Sequence, residues 1–245
     1  MYPILLSTPW FNVYSYGLMV ALGYTAATLW ILRLAREEGL PVETVFDMML
    51  IQLVVGVLGS RFLFLLETGD LLSGNVGFLD FQKGGLTFYG SVISGLLFDW
   101  IFLRIKGVPF WKVMDCVGNG LVLGSVIARL GCFLNGCCYG VPCSLPWGVV
   151  FPLVAPVPLH PTQLYESLAC LFIFFMNQKI RRWRRNYGQG LLAALGLYAM
   201  FRFNIEFWRG DNPAHALGMT LSQWVSLGIL TASAISWKAI EATPA

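Results

Sequence analysis

Residues 46–66 read FDMMLIQLVVGVLGSRFLFLL, an apolar run in which Asp47 and Arg61 are the only charged residues. An α-helix needs about 20 mostly apolar residues to cross the hydrocarbon core of a bilayer, which is about 30 Å thick. In lipid, the backbone polar groups must be satisfied within the segment itself, and a helix does this. The stretch therefore predicts a transmembrane helix.

The composition of the whole chain points the same way. Of the 245 residues, 57% are hydrophobic and 12% are charged, and the mean hydropathy is +0.67. Soluble domains have about 25% charged residues, so this chain has too little polar surface for a shell that faces water. A signal peptide starts with positive charge, whereas the first basic residue here is Arg33. No repeat or long linker divides the sequence, which predicts a single transmembrane domain over residues 1–245.

Six further apolar runs resemble the first in length and composition. Together they predict an all-α polytopic membrane protein with about seven transmembrane helices and a small outward-facing loop region. The predicted spans are 14–34, 46–66, 86–105, 113–134, 161–178, 190–207 and 221–237.

The distribution of Lys and Arg predicts the orientation, because cytoplasmic loops carry an excess of both. The tail 1–13 and the loop 135–160 contain neither residue type. The pattern predicts that the N-terminus and the loop 135–160 lie outside and that the C-terminus is cytoplasmic. The connection after the fifth span is the most basic one, with Lys179, Arg181, Arg182, Arg184 and Arg185.

Several ionisable residues lie inside predicted spans, where each costs several kcal/mol at mid-bilayer and is a functional candidate. With the predicted orientation, Arg129, Glu166, Arg202 and Glu206 all lie towards the outer leaflet, as does Arg61. They could snorkel to the interface or form ion pairs. If these residues formed ion pairs only with one another, one positive charge would stay uncompensated, because the three arginines outnumber the two glutamates. A lipid phosphate would satisfy it, because the planar fork of Arg binds phosphate oxygens in a bidentate way.

Four of the six cysteines lie at or beyond the outer end of the fourth span, namely Cys132, Cys137, Cys138 and Cys143. An outward-facing compartment permits disulfides, and one interpretation is a loop staple that joins Cys143 to Cys137 or Cys138. Spacing alone does not fix the pairing. No CxxC pair is present and Cys137 directly precedes Cys138, which argues against a simple redox or zinc site. We therefore predict no metal site.

Six short motifs at these positions resemble the prolipoprotein diacylglyceryl transferase family, in the family's order and at similar spacing over most of the chain. They are YGL at 16–18, GSR at 59–61, GGLTFYG at 84–90, RLGCFLNGCCYG at 129–140, HPTQLYE at 160–166 and RFNIEFWR at 202–209.

The resemblance implies an enzyme of the bacterial inner membrane. Such an enzyme moves a diacylglyceryl group from phosphatidylglycerol, a membrane lipid, to the lipobox cysteine in the signal peptide of a prolipoprotein. Glycerol phosphate leaves. The resemblance implies no metal, no soluble cofactor and no nucleic-acid partner. An anionic lipid donor fits the arginines that were singled out from their position in the membrane.

The resemblance also implies site residues. The catalytic candidates are Arg129, Arg202, Glu206 and Tyr89, and the candidates for substrate binding are Tyr16, Arg61, Asn135, Gly140 and Arg209. The chain departs from the family at three positions: Tyr89 stands where many members have His, Cys132 where many have Asn, and Cys137 where many have Glu. These departures leave open whether Tyr89 accepts the proton of the substrate thiol.

Three other functions compete with this interpretation. The departures from the family pattern motivate a related protein that binds lipid or lipoprotein without turnover. The outer cysteines motivate a membrane thiol oxidoreductase, against which the lack of CxxC argues. A small-molecule transporter is disfavoured because the charges gather at one leaflet rather than along a path.

Overall fold

The computed structural model describes residues 1–8, 11–70, 77–78, 85, 87–210 and 216–242, with the backbone alone at positions 88 and 216. Each of the predicted spans coincides with a helix, which confirms the all-α polytopic fold class. Within these ranges the α-helices are α1 Ser15–Glu37, α2 Val42–Thr68, α3 Phe88–Ile105, α4 Phe110–Asn135, α5 Thr162–Trp183, α6 Gln189–Ile205 and α7 Leu221–Ala242.

Four of these helices are long and apolar enough to cross a membrane by length and composition alone: α1, α2, α4, and α6 with its continuation to Trp208. The chain is therefore a multi-pass membrane protein. The helix α2 extends beyond the predicted span at both ends. It stops at Gly69, whose φ of 75° is the left-handed conformation that glycine adopts most easily at the end of a helix.

The described chain divides into two compact units. The first unit comprises residues 1–31 and 114–245, and the second comprises residues 32–113. The prediction of a single transmembrane domain stays a prediction.

In the second unit, α2 and α3 pack closely through small residues. A Cβ atom on Gly90 would meet the backbone of Gly59 and Ser60, and one on Gly59 would meet Ser94. Small residues let membrane helices approach in this way, since their packing relies on van der Waals contact. The hydroxyl of Ser60 donates to the carbonyl of Thr87 at 2.8 Å, and this contact fixes the start of α3.

In the first unit, α1 packs against α4 through a matching pair of glycines, Gly23 and Gly124, which approach each other's carbonyl oxygens. Helices α5, α6 and α4 enclose an apolar core that includes Val122, Ile173 and Phe174. The ring of Trp30 on α1 meets that of Phe174 edge-on at 5.3 Å.

Asp115, in the first turns of α4, fixes the start of α6. Its carboxylate accepts the backbone N–H groups of Gly188 and Leu191, both at 2.9 Å. The Arg184 guanidinium lies 3.4 Å from the same carboxylate. Since the first N–H groups of a helix have no partner within the helix, Asp115 acts as a tertiary cap for α6. It is thereby a structural residue of the bundle.

Two small hairpins accompany the helices, and the sequence did not predict them. Strands β1 Ile4–Ser7 and β2 Asn12–Tyr14 pair antiparallel ahead of α1. Strands β3 Val149–Phe151 and β4 Ala155–Leu159 pair antiparallel within the predicted loop region. At three to five residues each, they are too short for an alternating pattern to stand out from the apolar background.

Candidate active site

A cluster of buried charges joins α4, α5 and α6 in the first unit. The carboxylate of Glu166, in the second turn of α5, lies 2.7 Å from the guanidinium of Arg129 and 3.2 Å from that of Arg209. Arg202, in the last turn of α6, lies 2.5 Å from Glu206 and 3.9 Å from Glu166. Three chain segments thus bring together residues that lie far apart in the sequence.

The start of α7 completes this cluster with hydroxyl groups. Thr220 and Gln223 form a reciprocal capping box, in which each side chain accepts the backbone N–H of the other residue. The Thr220 hydroxyl also donates to Glu206 at 2.7 Å, and the Ser222 hydroxyl accepts from Arg202 at 3.0 Å. The Arg202–Glu206 pair is therefore held by two hydroxyl groups at the start of α7.

Among the described residues, the cluster has one more cation than anion, because three guanidinium groups face two carboxylates. Both glutamate side chains are fully buried, whereas 22% of the Arg129 side chain and 14% of the Arg202 side chain are exposed. The excess positive charge is thus accessible on the side of Arg129 and Arg202. An anion with several oxygens, such as a phosphate, fits this arrangement through paired N–H donors.

Gly140 lies where three segments cross, next to Arg209. It forms a bridge with Arg209, and its N–H donates to the carbonyl of His160 at 2.9 Å. A Cβ atom at this position would meet the carbonyl oxygen of Trp208 and the side chains of His160 and Thr162. Only glycine fits this crossing without a shift, and the crossing sets the position of the chain at Arg209.

An apolar groove lies between α5 and α6. Its volume is about 360 Å³, and Phe172, Ile173 and Leu197 are among the residues that line it. Met200 and Asn204 extend the lining to either side of Arg202 in the sequence. A groove of this composition accommodates a hydrocarbon chain, and its end lies within one helical turn of the exposed arginine.

Comparisons with known proteins show the family to which the chain belongs. A family profile described as prolipoprotein diacylglyceryl transferase matches residues 3–238. The chain belongs to this family. It is 30% identical over 231 residues to the phosphatidylglycerol–prolipoprotein diacylglyceryl transferase of Clostridium tetani, with 93% of each chain covered. The protein of the same name from Oleidesulfovibrio alaskensis is 34% identical over 226 residues, which cover 89% of this chain and 82% of that one.

The match confirms the family that the six motifs predicted, and the family is one of transferases. Of the motif residues, Arg129, Arg202, Glu206 and Arg209 lie in the charge cluster, with Gly140 beside it. Asn135 is the last residue of α4 and lies two residues before Cys137. Tyr16, in the first turn of α1, is 46% exposed, and its backbone packs beside Gly131 of α4.

Arg61 and Tyr89 lie in the second unit. Arg61 is fully buried, and its guanidinium donates to the carbonyls of Gly77, Phe78 and Gly85 at 3.0 to 3.2 Å. These contacts tie the Arg61 side chain to the backbone at these three positions. Tyr89, in the first turn of α3, is 37% exposed. Their predicted roles towards substrate stay predictions.

The cysteine staple predicted as one alternative is not formed. All six cysteines lie within the described residues, and all are free thiols. Cys132, Cys137 and Cys138 instead form a cluster in which all three sulfur atoms lie within 4.8 Å of one another. Hydrogen bonds with the Cys132 and Cys138 thiols lower the pKa of the Cys137 thiol well below its usual range.

Three polar contacts of the cluster were missed by sequence reasoning: Tyr198, Thr220 and Ser222. The hydroxyl of Tyr198 accepts from Arg129 at 3.3 Å. The spacing of four residues between Tyr198 and Arg202 places both on one face of α6, and the Thr220–Gln223 capping-box pattern marks the start of α7. Both patterns can be read from the sequence, but neither shows which residue on another helix each side chain contacts.

Proposed function

We propose that this chain transfers a diacylglyceryl group from phosphatidylglycerol to the lipobox cysteine thiol in the signal peptide of a prolipoprotein, with release of glycerol phosphate. The single observation that carries the proposal is the Arg129–Glu166–Arg202–Glu206–Arg209 cluster, with its excess positive charge accessible at two arginines. Relatives whose names state the same two substrates support it.

Arg129 and Arg202 bind the phosphate of the lipid donor in this proposal. Their guanidinium groups stabilise the negative charge that develops on the leaving glycerol phosphate, and preorganised electrostatic stabilisation of this kind often contributes more to catalysis than any other effect. Glu206 holds Arg202, and Glu166 holds Arg129 and Arg209. Because both carboxylates are buried, the arginines are already oriented before substrate arrives, and little reorganisation is needed.

We assign an acyl chain of the donor to the groove between α5 and α6, which is lined by apolar side chains. In this proposal one acyl chain lies along Phe172 and Leu197. This arrangement takes the donor directly from the bilayer, without extracting it into water.

The nucleophile is the substrate's own cysteine. Its thiol loses a proton, since the thiolate is the reactive form, and the sulfur attacks the glyceryl carbon while the bond from that carbon to the phosphate oxygen breaks. In one version of this mechanism Tyr89 accepts the thiol's proton, for which the side chain must already have given up its own proton and be a phenolate. In the other version, activation of the phosphate alone carries the reaction and the proton passes to water.

We infer the orientation of the protein from the distribution of its charges. We infer the membrane in which it resides from its family. The loop 135–160, free of Lys and Arg, lies outside, whereas the basic connection after α5 lies in the cytoplasm of a bacterial cell. The protein thus resides in the inner membrane with its N-terminus outside. Its partners are the donor lipid and the prolipoprotein, and it has no nucleic-acid partner.

The test is transfer from phosphatidylglycerol vesicles to a lipobox peptide by the purified protein. We expect a thioether-linked diacylglyceryl peptide and free glycerol phosphate. The matched controls are a peptide with Ser in place of the lipobox Cys and vesicles of phosphatidylcholine, and neither should yield product. Binding of phosphatidylglycerol and peptide without product would contradict the proposal and identify a binding relative without turnover.

A further inference from the structure

The three-thiol cluster lies at the turn that follows α4. Cys132 is buried on the last turn of α4, and Cys137 and Cys138 are partly exposed just after it. All three sulfur atoms lie within 4.8 Å of one another. Zinc bound by thiolates has Zn–S bonds of about 2.3 Å, which places the sulfur atoms about 3.8 Å apart in a tetrahedral site. Small rotations of the three cysteine side chains would bring the sulfur atoms to this shorter spacing.

The backbone that carries these thiols is held in place by buried side chains of α5. The Thr162 hydroxyl donates to the carbonyl of Cys138, and the Gln163 amide donates to that of Cys137, both at 2.6 Å. Thr162 and Gln163 are fully buried. Cys138 has a φ of 64°, a left-handed conformation that is uncommon for a residue with a side chain. These contacts therefore hold the backbone of Cys137 and Cys138 in one conformation, which limits where their thiols can lie.

The charge of the surroundings suits a thiolate site. Arg129 precedes Cys132 by three residues on α4, so the two lie on neighbouring positions of one helical face. Three thiolates with one divalent zinc ion have a net charge of −1, which an adjacent arginine stabilises.

We propose that Cys132, Cys137 and Cys138 bind one zinc ion. Three sulfur ligands leave one tetrahedral position, which water fills. The bound ion would fix the conformation of the turn that follows α4, next to the arginine cluster. Two of the three ligands, Cys132 and Cys137, stand at positions where this chain departs from the residues that many family members have. The inference does not depend on the proposed function.

The test measures metal directly in the full-length protein in detergent. Reduced protein is loaded with zinc chloride, freed of excess ion and subjected to elemental analysis, and we expect one zinc per chain. Cobalt used as a probe should give the intense near-ultraviolet absorption of thiolate ligation. Cys137→Ser should weaken zinc affinity by at least about tenfold, since even the loss of an outer-shell partner has such an effect.

The matched control is Cys143→Ser, because Cys143 is a buried free thiol in the same region that lies outside the cluster. It should retain the zinc. In the unaltered chain, zinc should also protect Cys132, Cys137 and Cys138 from maleimide while leaving the labelling of the other cysteines unchanged. This measurement needs no variant to fold. Absence of zinc in the wild-type protein, equal loss of zinc in Cys143→Ser, or a disulfide within the cluster that persists in reductant would overturn the proposal.

Discussion

Glu166 lies 2.7 Å from Arg129, and the same carboxylate lies 3.2 Å from Arg209, so one buried anion orients two arginines of the site. Removing one member of a buried pair leaves an uncompensated charge. The anion therefore does more for the site than a surface ion pair would, because it sets the direction of both guanidinium groups before any lipid binds.

Glu166→Gln keeps the shape of this side chain and removes its charge. We expect kcat to fall roughly tenfold to a hundredfold, the effect of losing a hydrogen bond to a charged group, worth about 1.5–3 kcal/mol. The KM for phosphatidylglycerol should stay level or fall, because the site becomes more positive. The control is Glu37→Gln, which breaks an exposed pair with Arg33 and should change neither value. A rise in KM with unchanged kcat would contradict the orienting role.

Arg129→Ala and Arg202→Ala test the phosphate contacts. If each bidentate contact contributes about 3 kcal/mol in the transition state, each variant should lose transfer by on the order of a hundredfold. Arg129→Lys should recover only part of the activity, because a point charge cannot copy the planar fork. The measurement is turnover at matched amounts of folded protein. Near-normal turnover in either alanine variant would refute phosphate binding by these residues.

Gly140→Ala tests the crossing beside Arg209. The added methyl group would meet the carbonyl oxygen of Trp208 and the side chains of His160 and Thr162. Overpacking of this kind costs about 1–3 kcal/mol, so we expect a lower melting temperature together with reduced transfer. Gly228→Ala on α7 is the matched control, since a Cβ atom there meets nothing within 4 Å. Equal stability of the two variants would show that the crossing tolerates a side chain.

The helices could be predicted from the sequence because a membrane span is a local property. The runs 46–66 and 113–134 have the length and apolarity that a bilayer demands, and no other part of the chain needs to be known. The predicted depth of Arg129, Arg202 and Glu206 follows from the same spans. That these residues gather in one cluster was therefore predictable, whereas their depth in the membrane stays a prediction.

The partners within the site could not be predicted in the same way. Contact of Arg61 with substrate stays a prediction, whereas its hydrogen bonds to the backbone carbonyls of Gly77, Phe78 and Gly85 were not predicted. Every residue has a backbone carbonyl group, so the sequence does not show which of them accept hydrogen bonds from an arginine. The gathering of Cys132, Cys137 and Cys138 likewise depends on the turn that Thr162 and Gln163 hold from another helix, which spacing within the motif does not reveal.

The orientation can be tested by labelling in intact cells after the native cysteines are removed. Leu153→Cys places a probe between β3 and β4, and Trp183→Cys places one at the end of α5. The original side chains are 81% and 82% exposed. A membrane-impermeant maleimide should label the first position from outside and leave the second unlabelled until the cells are broken. The reverse pattern would invalidate the predicted topology and the outer-leaflet site that depends on it.

Tyr89 is the departure from the family that bears most directly on proton transfer. Tyr89→Phe removes only the hydroxyl group, so the ring and its packing remain. If Tyr89, as its phenolate, accepts the proton of the substrate thiol, the rate at neutral pH should fall by about 10²–10⁴, the usual contribution of general acid–base catalysis. The loss should shrink as pH rises towards the ordinary pKa of a thiol, about 8.5, because more substrate is then already thiolate.

The pH dependence separates this role from a simpler one. If the hydroxyl only donates a hydrogen bond to lipid, the loss in Tyr89→Phe should be small and nearly constant with pH. Tyr89→His restores the residue that many relatives have, and under proton transfer it should be active and extend activity to lower pH, since an imidazole titrates near pH 6.5. Turnover of the three proteins between about pH 6 and 9 spans both titrations. Full activity of Tyr89→Phe across that range would exclude Tyr89 from proton transfer and leave Arg129 and Arg202 to activate the donor.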